Sequence, residues 1–180
     1  MSNESTSLLT RVGIFVVLIA IFFWLYQDPQ RDDSGDIVQA GNIDPLELFT
    51  GDCYKEKFKI LEGDEYYEQY SVEALPCSSP HNNEIYATFA SLTSIASDQD
   101  ISSQMFEQCY AELGDYIRFS ENIPDDDQMK FFADYATILL FNFDTDAENE
   151  GEPDPNKSFS CVMNSRENFT DFSVRGYFAL

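Results

Sequence analysis

Residues 53–61, CYKEKFKIL, and residues 69–77, QYSVEALPC, decide the fold of this chain. Lys55, Lys57 and Lys59 lie two positions apart in the first stretch, and apolar residues alternate with polar ones through both stretches. Alternation with a period of two is typical of half-exposed strands, and residues 62–65, EGDE, have the composition of a turn. The two stretches are therefore predicted to form an antiparallel hairpin.

The hairpin also predicts how the four cysteines pair. It places Cys53 opposite Cys77, and cross-strand neighbours have Cβ atoms about 5 Å apart, close enough for a disulfide after modest adjustment. Cys109 is then left to pair with Cys161. An even number of cysteines is typical of a disulfide framework in an exported chain. With one histidine and no C-x-x-C spacing, neither a zinc site nor a redox dithiol is predicted.

A helix carries Cys109. Apolar residues recur at every fourth position there, which predicts one buried helix face, and Ser97 or Asp98 is predicted to cap the helix. Phe106 and Tyr110 are expected to widen that face. The residues of the stripe are Ile101, Met105, Cys109 and Leu113.

Three further segments have β character. Residues 84–91, EIYATFAS, predict a strand, and residues 158–163, SFSCVM, predict a short strand with Cys161. Residues 137–143, TILLFNF, are predicted to be a central strand, with a short buried helix as the alternative. The Asp residues at 125–127 could cap another short helix. We therefore predict an α+β fold, an antiparallel sheet of about five strands with one main helix, stapled by disulfides.

An apolar run precedes this domain. Residues 12–26, VGIFVVLIAIFFWLY, lack any charge, which predicts a transmembrane signal-anchor helix. A cleaved signal peptide is the alternative, but the run ends in aromatic residues rather than the small residues that cleavage requires. Arg11 precedes the run, so the positive-inside rule places the N-terminus in the cytoplasm and the bulk of the chain outside the membrane.

The predicted organisation of the chain has five parts. The anchor separates a cytoplasmic N-terminus from a polar linker, and the extracytoplasmic domain precedes a C-terminal segment. Their bounds are 1–11 for the N-terminus, 12–26 for the single-pass anchor in the cell membrane, 27–46 for the linker, 47–164 for the domain and 165–180 for the C-terminal segment.

The chain is strongly acidic, with 33 Asp and Glu against 10 Lys and Arg and a net charge of −23. Such a surface repels nucleic acid, so no nucleic-acid partner is expected. Residues 144–154, DTDAENEGEPD, have alternating acids like those of a calcium loop. An EF-hand loop needs Gly at its sixth position and an acid at its twelfth, but here these positions are Asn149 and Pro155. A solvated hairpin loop is the prediction.

The only histidine, His81, lies in residues 76–86, PCSSPHNNEIY. Ser78, Ser79 and Glu84 lie near His81, which is the set of residue types that a hydrolase site uses. Sequence neighbours rarely face each other as a catalytic site requires, however, and the sequence has no nucleophile elbow or phosphate loop. The structural alternative is a turn in which the imidazole bonds to the backbone or to Glu84. We therefore predict no catalytic, cofactor-binding or metal site.

Several of these motifs together resemble the septum-formation domain family. The resemblance covers residues 49–163 and rests on TGDCY at 50–54, PCSSPH at 76–81, EIYA at 84–87, the helix with Cys109 and the strand with Cys161. That family occurs mainly in actinobacterial membrane proteins and lipoproteins and has no known enzymatic activity. The resemblance implies that the cysteines are framework and that Pro80, His81 and Glu84 form a characteristic turn.

The expected function is that of a non-catalytic, membrane-anchored extracytoplasmic domain in the cell envelope, with a role in septum formation and cell division. Its partners would be the membrane, through residues 12–26, and an envelope or division protein. The alternative is an extracytoplasmic ligand sensor or solute-binding module. A pocket lined by aromatic residues would favour a ligand, and a flat surface would favour a protein partner.

Overall fold

A computed structural model describes residues 13–18, 27–56, 71–93, 100–120, 122–141, 153–166 and 170–179. These residues adopt an α+β fold with antiparallel sheets, one main helix and two disulfides. Cys53 is bonded to Cys77 and Cys109 to Cys161, which are the two predicted pairs.

Within the described ranges, eight strands form two sheets. The first sheet joins two short strands, and the second has six strands in the order β3-β5-β4-β6-β8-β7, with antiparallel pairing throughout. The strands are β1 (Gln30–Arg31), β2 (Ile37–Gln39), β3 (Gly41–Ile43), β4 (Cys53–Glu56), β5 (Val72–Leu75), β6 (Asn83–Phe89), β7 (Tyr135–Phe141) and β8 (Phe159–Ser165). A short 3-10 helix, Pro45–Glu47, follows β3.

Both faces of the large sheet are buried. Along β8, Phe159, Cys161 and Met163 pack on the helical side, while Val162 packs into a second apolar cluster on the opposite side. Side chains alternate between faces along a strand, so a strand with both faces covered has a continuous run of buried residues. All five residues from Phe159 to Met163 are buried.

The main helix, α1 (Ile101–Ile117), covers one face of the sheet. Its N-cap is Asp100, whose carboxylate accepts a hydrogen bond from the backbone N–H of Ser103 at 2.8 Å. Satisfying a free N–H group at the first turn stabilises a helix start. The buried stripe consists of Met105, Cys109, Leu113 and Ile117, with Ile101 partly buried.

A second helix, α2 (Asp125–Asp134), leads directly into β7. It has Asp at its first three positions, where carboxylates interact favourably with the positive end of the helix dipole. Its only buried residue is Phe131, whose ring packs against those of Tyr135, Tyr177 and Phe178 at 4.8–5.4 Å. The short helix predicted from residues 125–127 is therefore present, with Pro124 at the cap position.

The hairpin of β4 and β5 differs in register from the prediction. Cys53 lies opposite Leu75, and Cys77 lies two residues beyond, just after the end of β5. The disulfide forms because the chain turns back after Pro76, so that the Cα atoms of the two cysteines are 5.2 Å apart. The predicted inner ends of these strands lie within residues 57–70, outside the described residues.

Residues 27–46, predicted to be a polar linker, belong to the folded domain. They contain β1, β2 and β3, and β3 pairs with β5 in the large sheet. Ile37 is 7% exposed and lies in the second apolar cluster. Polar composition suggested a linker, but these short segments are ordered by backbone pairing and by the packing of Ile37 and Ile43.

Three smaller expectations were wrong. β7, predicted to be central, is an edge strand. Tyr110, predicted to widen the buried stripe, is 57% exposed because it follows Cys109 around the helix toward solvent. The helix begins at Asp100 rather than after Ser97 or Asp98, since the Asp100 side chain makes the capping bond.

The predicted anchor lies mostly outside the described residues. Of residues 12–26 the structure describes 13–18, which are helical with exposed apolar side chains. Within the described part of the chain, no helix has both the length and the apolar character needed to cross a membrane. The acidic loop 144–154 likewise lies outside the described residues, apart from its last two positions.

Candidate functional site

His81 lies in the turn between β5 and β6, beside the C-terminal segment. Its backbone N–H donates to the carbonyl of Thr170 at 2.8 Å, and the N–H of Thr170 donates back to the carbonyl of His81 at 2.7 Å. This reciprocal pair is an isolated antiparallel bridge. It connects the motif turn to a part of the chain that is 89 residues away in sequence.

The imidazole of His81 is 2% exposed and bonds to the backbone. Nδ1 lies 2.9 Å from the carbonyl oxygen of Ser79, so this nitrogen carries the proton and donates. Nε2 is then the acceptor and faces the Thr170 hydroxyl at 3.4 Å. The structure therefore places the imidazole in the backbone-bonded arrangement that was one of the two structural alternatives.

Glu84, on β6, is 1% exposed and accepts three hydrogen bonds. The hydroxyls of Tyr116 and Ser173 both donate to Oε1 at 2.5 Å, and the backbone N–H of Val174 donates to Oε2 at 2.7 Å. Because a buried carboxylate without partners is very costly, these donors are what allow the group to lie in the interior. Glu84 thereby joins the sheet to α1 and to the C-terminal segment.

The surroundings of Tyr116 change the pKa of its phenol. Its burial, followed by the negative charge of Glu84, raises the pKa of the phenol well above the ordinary value for tyrosine. The guanidinium carbon of Arg175 lies 5.4 Å from the centre of the Tyr116 ring, within the range of a cation–π contact. The phenol therefore remains a hydrogen-bond donor to Glu84 at any physiological pH.

Asp52 lies next to the Cys53–Cys77 disulfide and is 4% exposed. Arg31 donates to both of its carboxylate oxygens, at 2.7 and 2.6 Å, and the N–H of Phe49 donates to Oδ2 at 2.7 Å. The bond to Asp52 raises the pKa of the Arg31 guanidinium despite the opposing effect of burial. A bidentate pair of this kind holds β1 against the turn that precedes β4.

Gly51, in the TGDCY motif, shows why a glycine occupies that turn. Its φ is +98°, a conformation that L residues with a side chain rarely adopt. A Cβ atom there would also lie 2.5 Å from a terminal guanidinium nitrogen of Arg175. Its N–H donates to the carbonyl of Ile85 at 2.7 Å, and the N–H of Ile85 donates to the carbonyl of Asp52 at 2.8 Å.

We call Asp52, His81, Asn83 and Glu84 the buried polar cluster. Asn83 is fully buried, and its side-chain oxygen accepts a bond from the amide of Asn164 at 2.7 Å. All four side chains thus have bonding partners within the protein. The polar side chains of the cluster are therefore satisfied by other protein groups, as buried polar groups usually are.

Cys53, His81 and Glu84 have possible metal-ligating atoms within 4.8 Å of one another. This donor set does not fit a metal ion, because the sulfur of Cys53 is in a disulfide and metals bind the thiolate. The described residues around His81 and Glu84 also enclose a hollow that admits no water-sized sphere. Acid–base chemistry on a substrate would need access that neither side chain has.

The structure brings together most of the residues that the sequence singled out. His81, Glu84 and Cys53 lie side by side, whereas Pro80 is exposed at the outside of the turn. Sequence reasoning missed the partners of this cluster: Tyr116, Ser173 and Arg31. No local pattern marks them, because each comes from a different element and only the fold places it there.

The chain matches no family model, and neither a curated protein nor a solved structure matches it. The likeness to the septum-formation domain family therefore rests on the motifs quoted above.

Proposed function

We propose that this chain is a non-catalytic binding module that is anchored in the cell membrane and acts outside the cytoplasm, in the cell envelope. The observation that carries the proposal is that His81 and Glu84, the residues best suited to catalysis, are buried and fully engaged by protein groups. A general base or nucleophile must reach its substrate. These two side chains instead hold the C-terminal segment in place.

The disulfides support the placement outside the cytoplasm. Disulfides persist in oxidising compartments and are rare in the cytosol. The Cα–Cα distances of 5.2 and 5.6 Å lie within the usual range for disulfides. The uncharged run at 12–26 supplies the proposed anchor.

A protein partner is favoured over a small ligand by the way the aromatic residues pack. The rings of Phe131, Tyr135, Tyr177 and Phe178 contact one another instead of lining an open cavity. Ligand sites are typically concave clefts of several hundred Å³. The alternative of a ligand sensor or solute-binding module therefore has less support from the described residues. A role in septum formation rests on the family resemblance.

Gene deletion with complementation tests this function. We expect loss of the gene to cause a division or envelope defect, and the full chain to restore growth. A version without residues 1–26, exported by a cleaved signal peptide, should fail to restore it. The absence of any division or envelope phenotype would count against the proposal.

A His81→Asn variant separates the proposal from catalysis. The amide nitrogen of Asn occupies about the position of the His Nδ1 atom, so the variant can still donate to the carbonyl of Ser79. If the chain is a binding module, this variant complements as long as it folds. A folded but inactive His81→Asn protein, with native thermal unfolding and native disulfides, would instead point to an enzyme.

A further inference from the structure

The two edges of the six-stranded sheet are built differently. β3 forms one edge and has three residues, followed at once by Asp44 and Pro45. Its Asn42 N–H donates to the carbonyl of Gln27 at 2.9 Å, so a neighbouring segment covers part of this edge. Short length, an acid, a proline and a covering segment are the devices by which proteins protect a sheet edge.

β7 forms the other edge and is less protected: among the described residues no segment is hydrogen-bonded to its outer side, although Asp134 directly precedes it and the 3-10 helix Pro45–Glu47 lies near it. The strand is seven residues long and contains no charged residue, no proline and no glycine: its sequence is YATILLF. Residues 136–140 are partly exposed, although Leu139 packs against one apolar cluster and Ile138 and Leu140 pack against the other. An edge strand that is long, uncharged and partly exposed is a template for pairing with another chain.

The backbone of β7 is paired on one side. All seven residues lie in register with β8, from Tyr135 opposite Ser165 to Phe141 opposite Phe159. Among the described residues, no strand pairs with β7 on its other side, and no backbone hydrogen bond from outside the ladder reaches residues 136–141. Successive residues of an antiparallel strand point their N–H and C=O groups to alternate sides, so half of them face away from β8.

Charge decides between a second copy and a different protein as the pairing partner. Two copies would bring together chains of net charge −23 each. The helix α2, which ends where β7 begins, carries Asp125, Asp126, Asp127 and Asp134 against a single Lys130. Like charges oppose self-pairing, whereas basic residues beside the partner strand would be attracted.

We propose that β7 is a pairing site for an extended segment of another protein, with apolar or β-branched residues in its centre and basic residues at its ends. Strand addition supplies main-chain hydrogen bonds for affinity, and the flanking charges supply specificity. The inference rests on the proposed binding function and names the kind of partner that this function requires. It is tested on purified protein, so its failure is distinct from the absence of a division phenotype.

Amide hydrogen exchange on the full-length, disulfide-bonded protein in mild detergent tests this site. The probe is a synthetic peptide of alternating Val and Thr with lysines at both ends. We expect it to slow exchange at the outward-facing amides within residues 136–140. A matched peptide with glutamates at both ends should bind about ten-fold more weakly or worse, and added salt should reduce the difference between the two peptides.

Two controls test whether the contact is strand pairing. A lysine-flanked peptide with a central proline cannot complete the ladder and should leave β7 exchange unchanged. Ala136→Lys places a charge on the edge and should abolish protection, whereas Ala136→Val should keep it; thermal unfolding checks that both variants are folded.

Three outcomes would overturn the proposal. Equal binding of the two flanked peptides would remove the electrostatic argument, and protection only outside β7 would remove the site. Concentration-dependent dimerisation that Ala136→Lys abolishes would assign the edge to a second copy instead.

Discussion

The two disulfides of this protein lie in opposite surroundings. Cys53–Cys77 lies beside the buried polar cluster, with a ring nitrogen of His81 and a carboxylate oxygen of Glu84 within 4.8 Å of the Cys53 sulfur. Cys109–Cys161 lies in an apolar cluster with Met105, Leu113 and Phe159. One region depends on directional bonds between ionised or polar groups, and the other on burial of apolar area.

This difference indicates which region of the fold is stable only while specific hydrogen bonds are kept. Apolar burial tolerates small displacements and does not depend on charge state, because it is roughly proportional to area. A buried carboxylate is stable only while all its donors stay in place, so loss of one donor exposes a large desolvation cost. A substitution in the polar region is therefore expected to loosen mainly the segments bonded to the substituted side chain. A substitution in the apolar region is expected to lower the stability of the whole domain.

The largest expected effects come from removing each disulfide. Replacing Cys109 and Cys161 together by Ala should lower the free energy of unfolding by about 4 kcal/mol, and replacing Cys53 and Cys77 by about 3.5 kcal/mol. The reason is loop length, because the bonded cysteines have sequence separations of 52 and 24 respectively. Urea unfolding of the two double variants measures both costs. A larger cost for the shorter loop would show that contacts with the polar cluster outweigh loop entropy.

Glu84→Ala is expected to cost about 3 kcal/mol, because it leaves three buried donors without an acceptor. Glu84→Gln keeps the shape and should cost less, since one oxygen remains. Both variants should speed amide exchange at Val174 before they affect α1. If Glu84→Ala instead loosened the helix and the C-terminal segment equally, the polar region would not respond locally.

Arg31→Met is expected to cost about 1–2 kcal/mol, because it leaves the carboxylate of Asp52 buried without its cation. Arg31→Lys cannot form the bidentate pair, so its free energy of unfolding should lie between those of Arg31→Met and the native protein. Limited proteolysis within residues 27–46 should accelerate in the same order. Rapid cleavage of the native protein in that range would restore the interpretation of the segment as a linker.

The smallest expected effect on stability comes from tyrosine ionisation. It is negligible near neutral pH and grows at alkaline pH. Burial raises the pKa values of Tyr86 and Tyr135 to about 12. In the unfolded chain these phenols ionise near pH 10, as unperturbed tyrosines do. Between these values the folded state binds more protons, so stability present below pH about 10 is lost as the pH rises toward 12.

Absorbance titration of tyrosinate and unfolding curves at several alkaline pH values measure this loss. The Tyr86→Phe variant should show a shallower decline than the native protein, which separates its contribution from that of other groups titrating in the range. Ionisation of all tyrosines near pH 10 without unfolding would contradict the assigned burial.

Much of the framework could be predicted from local patterns. The period-four stripe through Met105, Cys109 and Leu113 predicted a helix with a buried face, and burial of these residues confirms it. The hairpin predicted the Cys53–Cys77 bond despite an error of two residues in register. A disulfide tolerates such an error because the chain after Pro76 can turn to bring the sulfurs together.

The position of β7 could not be predicted, because an apolar run has the same composition in a strand that is central and in an edge strand with both faces covered. The order of strands depends on which pairings the connections allow. Likewise, the short strands within residues 27–46 gain stability only from pairing and from the Arg31–Asp52 contact, neither of which leaves a periodic pattern.

By itself, the sequence determined the α+β class and the course of the main helix, since these follow from the spacing of apolar residues over short distances. It also determined the cysteine pairs, because the hairpin brings Cys53 near Cys77 and leaves Cys109 to pair with Cys161. Only the tertiary structure decided the role of His81 and Glu84. Thr170, which faces His81, is 89 residues away in sequence. The donors to Glu84 are Tyr116, Ser173 and Val174, which are 32, 89 and 90 residues away. Hydrogen bonds act over about 3 Å, so only the folded chain determines whether two polar groups of such separation meet.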